Sequence, residues 1–306
     1  MSARVSSFCL GTAEEERGHT WVAPYMKRTT MEEFIHIPSG GERLVGVWTE
    51  PEGSPAGVTV ITLHGWGGGR IGPHRFAVKL CRALAAAGAA SLRFDFRGRG
   101  DSTGEQAAAT LDAMIDDACR AVEFAQVRAP QNRIVLWGLC SGGNVAIGAA
   151  TLKPEARDLI LLSTLPFIPE KKAAEKVART KQQAGNYFRK LFRAATWKKL
   201  VTGAVNFRAV KKALFGEKRA AGQRDPKDSA RDVMAAFGAF KGRALFIYGG
   251  ADKEAAGAGA HYAEFAAKHG IPAAFETIDG SNHDYYSLAW ERRVIEQTLL
   301  RVKDRG

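Results

Sequence analysis

The feature that most constrains this chain is the run RIVLW, followed at once by Gly138-Leu139-Cys140-Ser141-Gly142-Gly143 and then by small residues at 141–151. A short apolar run rich in β-branched residues reads as a buried strand, and the small residues read as a helix. The backbone therefore turns from strand to helix within a residue or two. A side chain at the apex of such a turn needs very small neighbours two places before and after it, because the backbone there is crowded. For Cys140 those neighbours are Gly138 and Gly142; for Ser141 they would be Leu139 and Gly143, and leucine does not fit. Cys140 is the candidate nucleophile, with Ser141 a lesser rival. A helix N-terminus favours anionic sulfur and offers N–H groups to a developing oxyanion. Glycine-rich strand-to-helix turns also cradle phosphates, and a buried cysteine is usually inert, so the rest of the chain has to decide.

The surrounding pattern is a regular alternation. Residues 33–38 and 43–50 read as a hairpin across Ser39-Gly40-Gly41. Strands are expected at 58–63 (VTVITL), 89–96, 133–137, 159–163, 244–248 and 273–278, and helices at 74–87, 110–125, 141–151, 258–269 and 287–302. Strands alternating with helices imply right-handed crossovers and an α/β fold, with a mainly parallel sheet covered by helices on both faces. Residues 1–30 show no sustained periodicity and read as a loose leader, with Met26 and Met31 as alternative starts. The core is expected over 31–164 and 236–306, interrupted at 165–235 by a basic helical cap between the sixth and seventh strands.

Three further clusters sit just past strand ends, the edge where open α/β sheets place reactive groups. His64-Gly65-Trp66-Gly67-Gly68-Gly69 follows VTVITL. A glycine-rich turn there lets the Trp66 N–H face the nucleophile, with Ser141 supplying the second oxyanion donor. Asp252 follows ALFIY in a glycine turn, and His283 follows AFETI in Asp279-Gly280-Ser281-Asn282-His283. His283 would deprotonate or pair with the thiol, and Asp252 would fix its tautomer. Simpler readings are a turn aspartate bonded to its own backbone and a surface histidine in a polar loop. Asp279 and Asp284 are poorer acids, because each lies too close in sequence to His283 to support it from a separate loop.

HGWGGG, RFDFRGRGDS, GLCSGG, YGGAD and NHD follow one another as the corresponding motifs do in the α/β-hydrolase superfamily, and the chain resembles its monoacylglycerol-lipase-like and serine-aminopeptidase-like members. The resemblance covers residues 35–165 and 240–303 and implies the order nucleophile, acid, histidine, with the cap domain between strands 6 and 7. It assigns RFDFRGRGDS a structural role, its arginines and aspartates pinning loops beneath the site. The sequence departs from the usual pattern at the nucleophile, where Cys140 resembles the Cys–His–Asp triad of dienelactone hydrolase, an enzyme without a comparable cap. The cysteine together with the basic stretch YFRKLF…WKKLVTG also resembles hydrolases associated with exosortase and exopolysaccharide gene clusters.

Charge points to partners. Residues 165–232 hold 18 Lys or Arg against 6 Asp or Glu, a surplus equal to the whole chain's +12. Phe188, Phe192 and Trp197 lie among those basic residues at roughly helical spacing. They are candidate substrate-binding residues of a lid, or interfacial anchors on an anionic membrane; the basic residues would alternatively steer an anionic substrate. No nucleic-acid module is recognisable. Four widely spaced cysteines, with no CxxC, fit a reducing cytoplasmic compartment and neither a disulfide framework nor a metal site. No apolar run is long enough to span a bilayer. The chain is expected to hydrolyse carboxylic esters or thioesters of a small acyl substrate, without cofactor, through an acyl-enzyme. An acyltransferase and a degenerate, binding-only hydrolase are the alternatives.

Overall fold

A computed structural model describes residues 31–166, 227 and 229–304. The expected leader, most of the expected cap, and Phe188, Phe192 and Trp197 lie outside the described residues. Eight strands form one sheet: β1 (Glu32–Ser39), β2 (Glu42–Thr49), β3 (Val58–Leu63), β4 (Ala90–Phe94), β5 (Arg133–Leu139), β6 (Asp158–Leu162), β7 (Arg243–Gly249) and β8 (Ala273–Ile278). Their order is β1-β2-β4-β3-β5-β6-β7-β8. The hairpin β1–β2 is antiparallel and joins antiparallel to β4, while every pair from β4 to β8 is parallel.

Burial follows from position in the sheet. β3 and β6 are buried along their whole length, as central strands covered on both faces must be. The edge strand β1 alternates towards its end, burying Ile35 and Ile37 and exposing Phe34. One face is covered by α1 (Phe76–Ala86) and α6 (Leu288–Lys303), whose Leu80, Leu84, Val294 and Val302 pack on Val135, Trp137 and Ile247. The other is covered by α2 (Leu111–Arg128), α3 (Ser141–Leu152), α4 (Val233–Gly238) and α5 (Ala258–His269). Side chains close the N-termini of three of these helices, Asp232 accepting from the Ala235 N–H at 3.0 Å to start α4. Thr110 accepts from the Ala113 N–H at 3.2 Å to start α2, and Ser287 accepts from the Trp290 N–H at 3.2 Å to start α6.

The cap was expected to end at residue 235, yet α4 already belongs to the main core, with Val233 and Phe237 buried in the cluster that also holds Tyr262 and Phe246. Because β3 to β8 run the same way, the turns after β3, β4, β5, β7 and β8 all open on one edge of the sheet.

Candidate active site

Cys140 stands at the end of β5, one residue before α3, with φ 57° and ψ −123°. That is a strained backbone for a residue with a Cβ. Its amide donates to the Leu162 carbonyl at 2.8 Å, and its carbonyl accepts from Gly143 at 3.0 Å. The glycines around it are needed for space. A Cβ on Gly138 would run into the Gly142 backbone, one on Gly142 into the Leu63 carbonyl, and one on Gly143 into the Thr164 side chain. The sharp turn read from the sequence is therefore a packing requirement of β5, α3 and β3 together.

His283 and Asp252 arrive from separate loops. Asp252 follows β7, is 7 % exposed, and accepts from His283 Nδ1 through Oδ2 at 2.8 Å. Its other oxygen accepts from the amides of Glu254 at 2.9 Å and Ala255 at 3.2 Å. The local turn and the long-range contact thus coexist on one carboxylate. The His283 loop is fixed beneath: its carbonyl accepts from Ser163 Oγ at 3.2 Å, and Tyr285, at φ 53°, donates its hydroxyl to the Ile247 carbonyl at 2.8 Å. His283 Nε2 is buried without a hydrogen bond of ordinary geometry, yet Cys140 lies close enough to act on the ring's charge. Burial opposes protonation of the imidazole, but the Cys140 sulfur and the Asp252 carboxylate outweigh it and push its pKa up to about 9.

The turn after β3 lies across the mouth. A Cβ on Gly65 would come within 3.4 Å of Cys140 Cβ, so this backbone passes directly over the thiol. His64 anchors it, with Nδ1 2.8 Å from the Gly65 carbonyl and Nε2 accepting the Phe96 amide at 3.4 Å. Burial pushes the His64 pKa down, in keeping with a neutral structural ring. Trp66 and Ser141 meet, but through Ser141's side chain: the Trp66 N–H donates to Ser141 Oγ at 2.7 Å.

A cavity of about 730 Å³ is lined by Cys140 and His283 together with Phe76, Trp137, Ile71, Asp95 and Arg70. Phe76 and Ile71 lie outside every motif read from the sequence. Asp95 sits after β4 and holds the glycine loop, accepting from the Arg70 amide at 2.6 Å and pairing with its guanidinium.

A mainly parallel sheet with helices on both faces, and with Cys140, Asp252 and His283 converging from the ends of β5, β7 and β8, defines the α/β-hydrolase class. Within that class, residues 55–286 match the family described as serine aminopeptidase, S33, and the chain belongs to that family. It is 34 % identical over 100 residues to the lysophosphatidylserine lipase ABHD12 of Bos taurus, and 32 % identical over 108 residues to Protein ABHD12B of Homo sapiens. These alignments cover 33 % and 35 % of this chain but only 24 % and 28 % of the relatives, so the chain spans about a quarter of their length. Solved structures with the same fold include an esterase of Pyrococcus furiosus (TM-score 0.61, 18 % identity, covering 97 % of this chain and 98 % of that one). Dienelactone hydrolase from Anabaena variabilis is another (TM-score 0.59, 14 % identity, covering 89 % and 97 %).

Proposed function

We propose that this hydrolase cleaves carboxylic esters or thioesters, with Cys140 as nucleophile, His283 as acid–base and Asp252 as the group that orients His283. The observation that carries the reading is the line from buried Asp252 Oδ2 through the partly buried His283 to Cys140, whose sulfur joins the carboxylate in favouring the ring's charged form. Family membership supports hydrolysis, and the partial relative from Bos taurus is named as a lipase, which is ester chemistry.

In this reading the Cys140 thiolate attacks the carbonyl carbon, and the carbonyl electron pair becomes an oxyanion beside the Trp66 and Ser141 amides. Collapse expels the alcohol or thiol, which takes a proton from His283 Nε2 and leaves an acyl thioester on Cys140. Water then attacks that thioester, His283 takes the water's proton, and the carboxylic acid departs as the thiolate re-forms. The charge surplus of residues 165–232 would attract anionic substrates or an anionic membrane surface to the protein.

The test is to incubate the protein with a short activated ester, quench in acid, measure the intact mass and map the adduct by fragmentation. An acyl group on Cys140, absent from Cys140→Ala, is the expected result. An adduct on Ser141 would move the nucleophile by one residue. A folded protein giving neither adduct nor product would sink the proposal, and faster product release on adding alcohols would turn it into an acyltransferase.

A further inference from the structure

Residues 93–102 hold five charged side chains. Four are paired: Arg93 with Glu32 at 3.3 Å, Arg97 with Asp117 at 2.6 Å, and Asp95 and Asp101 both with Arg70. These four do the structural work expected of the segment. Arg99 does not. It is only 9 % exposed, it has no acidic partner among the described residues, and its Nε is buried without a hydrogen bond. Arg93 also has a buried Nε lacking a partner, but its guanidinium reaches Glu32.

Arg99 does not itself line the cavity, but it lies against one of the residues that do, Trp66. Its guanidinium carbon is 5.1 Å from the centroid of the Trp66 ring, and Lys227 Nζ lies 5.6 Å from the same ring. Trp66 lines the cavity that holds Cys140 and His283, and its amide meets Ser141 next to the thiol. Arg99 is also close enough to His64 to add to the depression of that ring's pKa, behind burial as the main cause. Withdrawing a guanidinium from water without an anion is unfavourable, and a cation–π contact offsets only part of the cost. Its planar fork of N–H donors matches a carboxylate in two parallel hydrogen bonds.

We propose that Arg99 is a specificity residue that binds an anionic group, a carboxylate, carried on the same molecule as the acyl bond, with the Trp66 ring as its platform. The inference rests on the hydrolase reading and narrows it to acyl substrates with a second, charged end. A purely structural Arg99, holding the Trp66 loop by stacking alone, is the competing explanation.

Two matched esters separate the two, p-nitrophenyl pentanoate and the mono-p-nitrophenyl ester of glutarate, which differ by a terminal carboxylate. The wild-type protein is expected to favour the charged ester in kcat/KM by about tenfold or more, the effect of one charge-assisted contact. In Arg99→Gln that preference collapses, chiefly through KM, and Arg99→Lys recovers part of it. Rising salt erodes the wild-type preference. Equal loss on both esters in Arg99→Gln, or an unchanged ratio, overturns the proposal and leaves Arg99 structural. Should neither ester turn over, the hydrolase reading fails, and the subsite is judged by calorimetric titration of glutarate. Saturable binding that weakens in Arg99→Gln keeps it, and no binding to a folded protein removes it.

Discussion

The backbone N–H of Trp66 donates to the Ser141 hydroxyl at 2.7 Å, so one of the two amides that an oxyanion would need is already occupied. An incoming oxyanion must displace that hydroxyl. A neutral hydrogen bond is worth about 1 kcal/mol net, so Ser141→Ala should raise kcat up to about fivefold. Steady-state kinetics on an activated ester decide it. A fall of about a hundredfold would mean that the hydroxyl is itself a donor to the oxyanion, or the nucleophile.

As the proposed acid–base, His283 gives the pH profile its alkaline side. With its pKa raised to about 9, the ring keeps its proton through neutrality and loses it above that value, so kcat/KM should decline with a limb near pH 9. Stability follows the same sign. A histidine whose folded pKa lies above the ordinary 6.5 stabilises the fold fully below 6.5, and that contribution is lost as pH rises towards 9. In a thiolate–imidazolium pair, however, the ring holds the proton that the thiol has given up, so Cys140 and His283 together bind no more protons than in the unfolded chain. Denaturant titrations of the wild-type protein should therefore be nearly flat over this range, whereas Cys140→Ala, where Asp252 alone holds the ring's proton, should lose stability as pH rises. A wild-type profile that falls as steeply as that of Cys140→Ala would remove the thiolate–imidazolium pair.

Asp252→Asn keeps shape but loses charge, and its amide group cannot accept from Nδ1 through both possible orientations. Turnover should fall by about two to four orders of magnitude while KM changes little. The contacts from Glu254 and Ala255 to Oδ1 survive in one amide orientation, so the melting temperature should move only slightly. A variant that keeps near-normal turnover would assign the carboxylate to the turn alone.

The fold has its own weak point, away from the chemistry. Asp117 is fully buried and accepts from Ser39 Oγ at 2.6 Å and from Arg97 through its amide, Nε and second guanidinium nitrogen. Arg97→Met leaves that carboxylate buried without its cation and should cost about 3–5 kcal/mol, measurable by urea unfolding. A loss under about 1 kcal/mol would show that Asp117 is satisfied by Ser39 and backbone alone.

What the sequence made legible was local. The crowding argument around Gly138 and Gly142 needs only neighbouring residues, and the strands around Cys140, Asp252 and His283 announce themselves by apolar runs. Their convergence follows from parallel topology, which alternation alone predicts. The pairing of Trp66 with Ser141 was not legible, because it joins side chain to backbone across 75 positions. The Arg70–Asp95 pair and the cavity walls at Phe76 and Trp137 were missed for a related reason: each depends on where a loop lands. RFDFRGRGDS reads as uniformly structural in sequence, and only the distribution of acidic partners separates Arg99 from its neighbours.

The backbone at Cys140 carries a last consequence. At φ 57° and ψ −123° it adopts a conformation that glycine would occupy far more easily, at a cost of about 1–3 kcal/mol for any other residue. Cys140→Gly should therefore make a sturdier protein with nothing left to attack with. If Cys140 is the nucleophile proposed above, position 140 keeps its sulfur against the preference of its own main chain, and robustness and reactivity cannot both be maximal there.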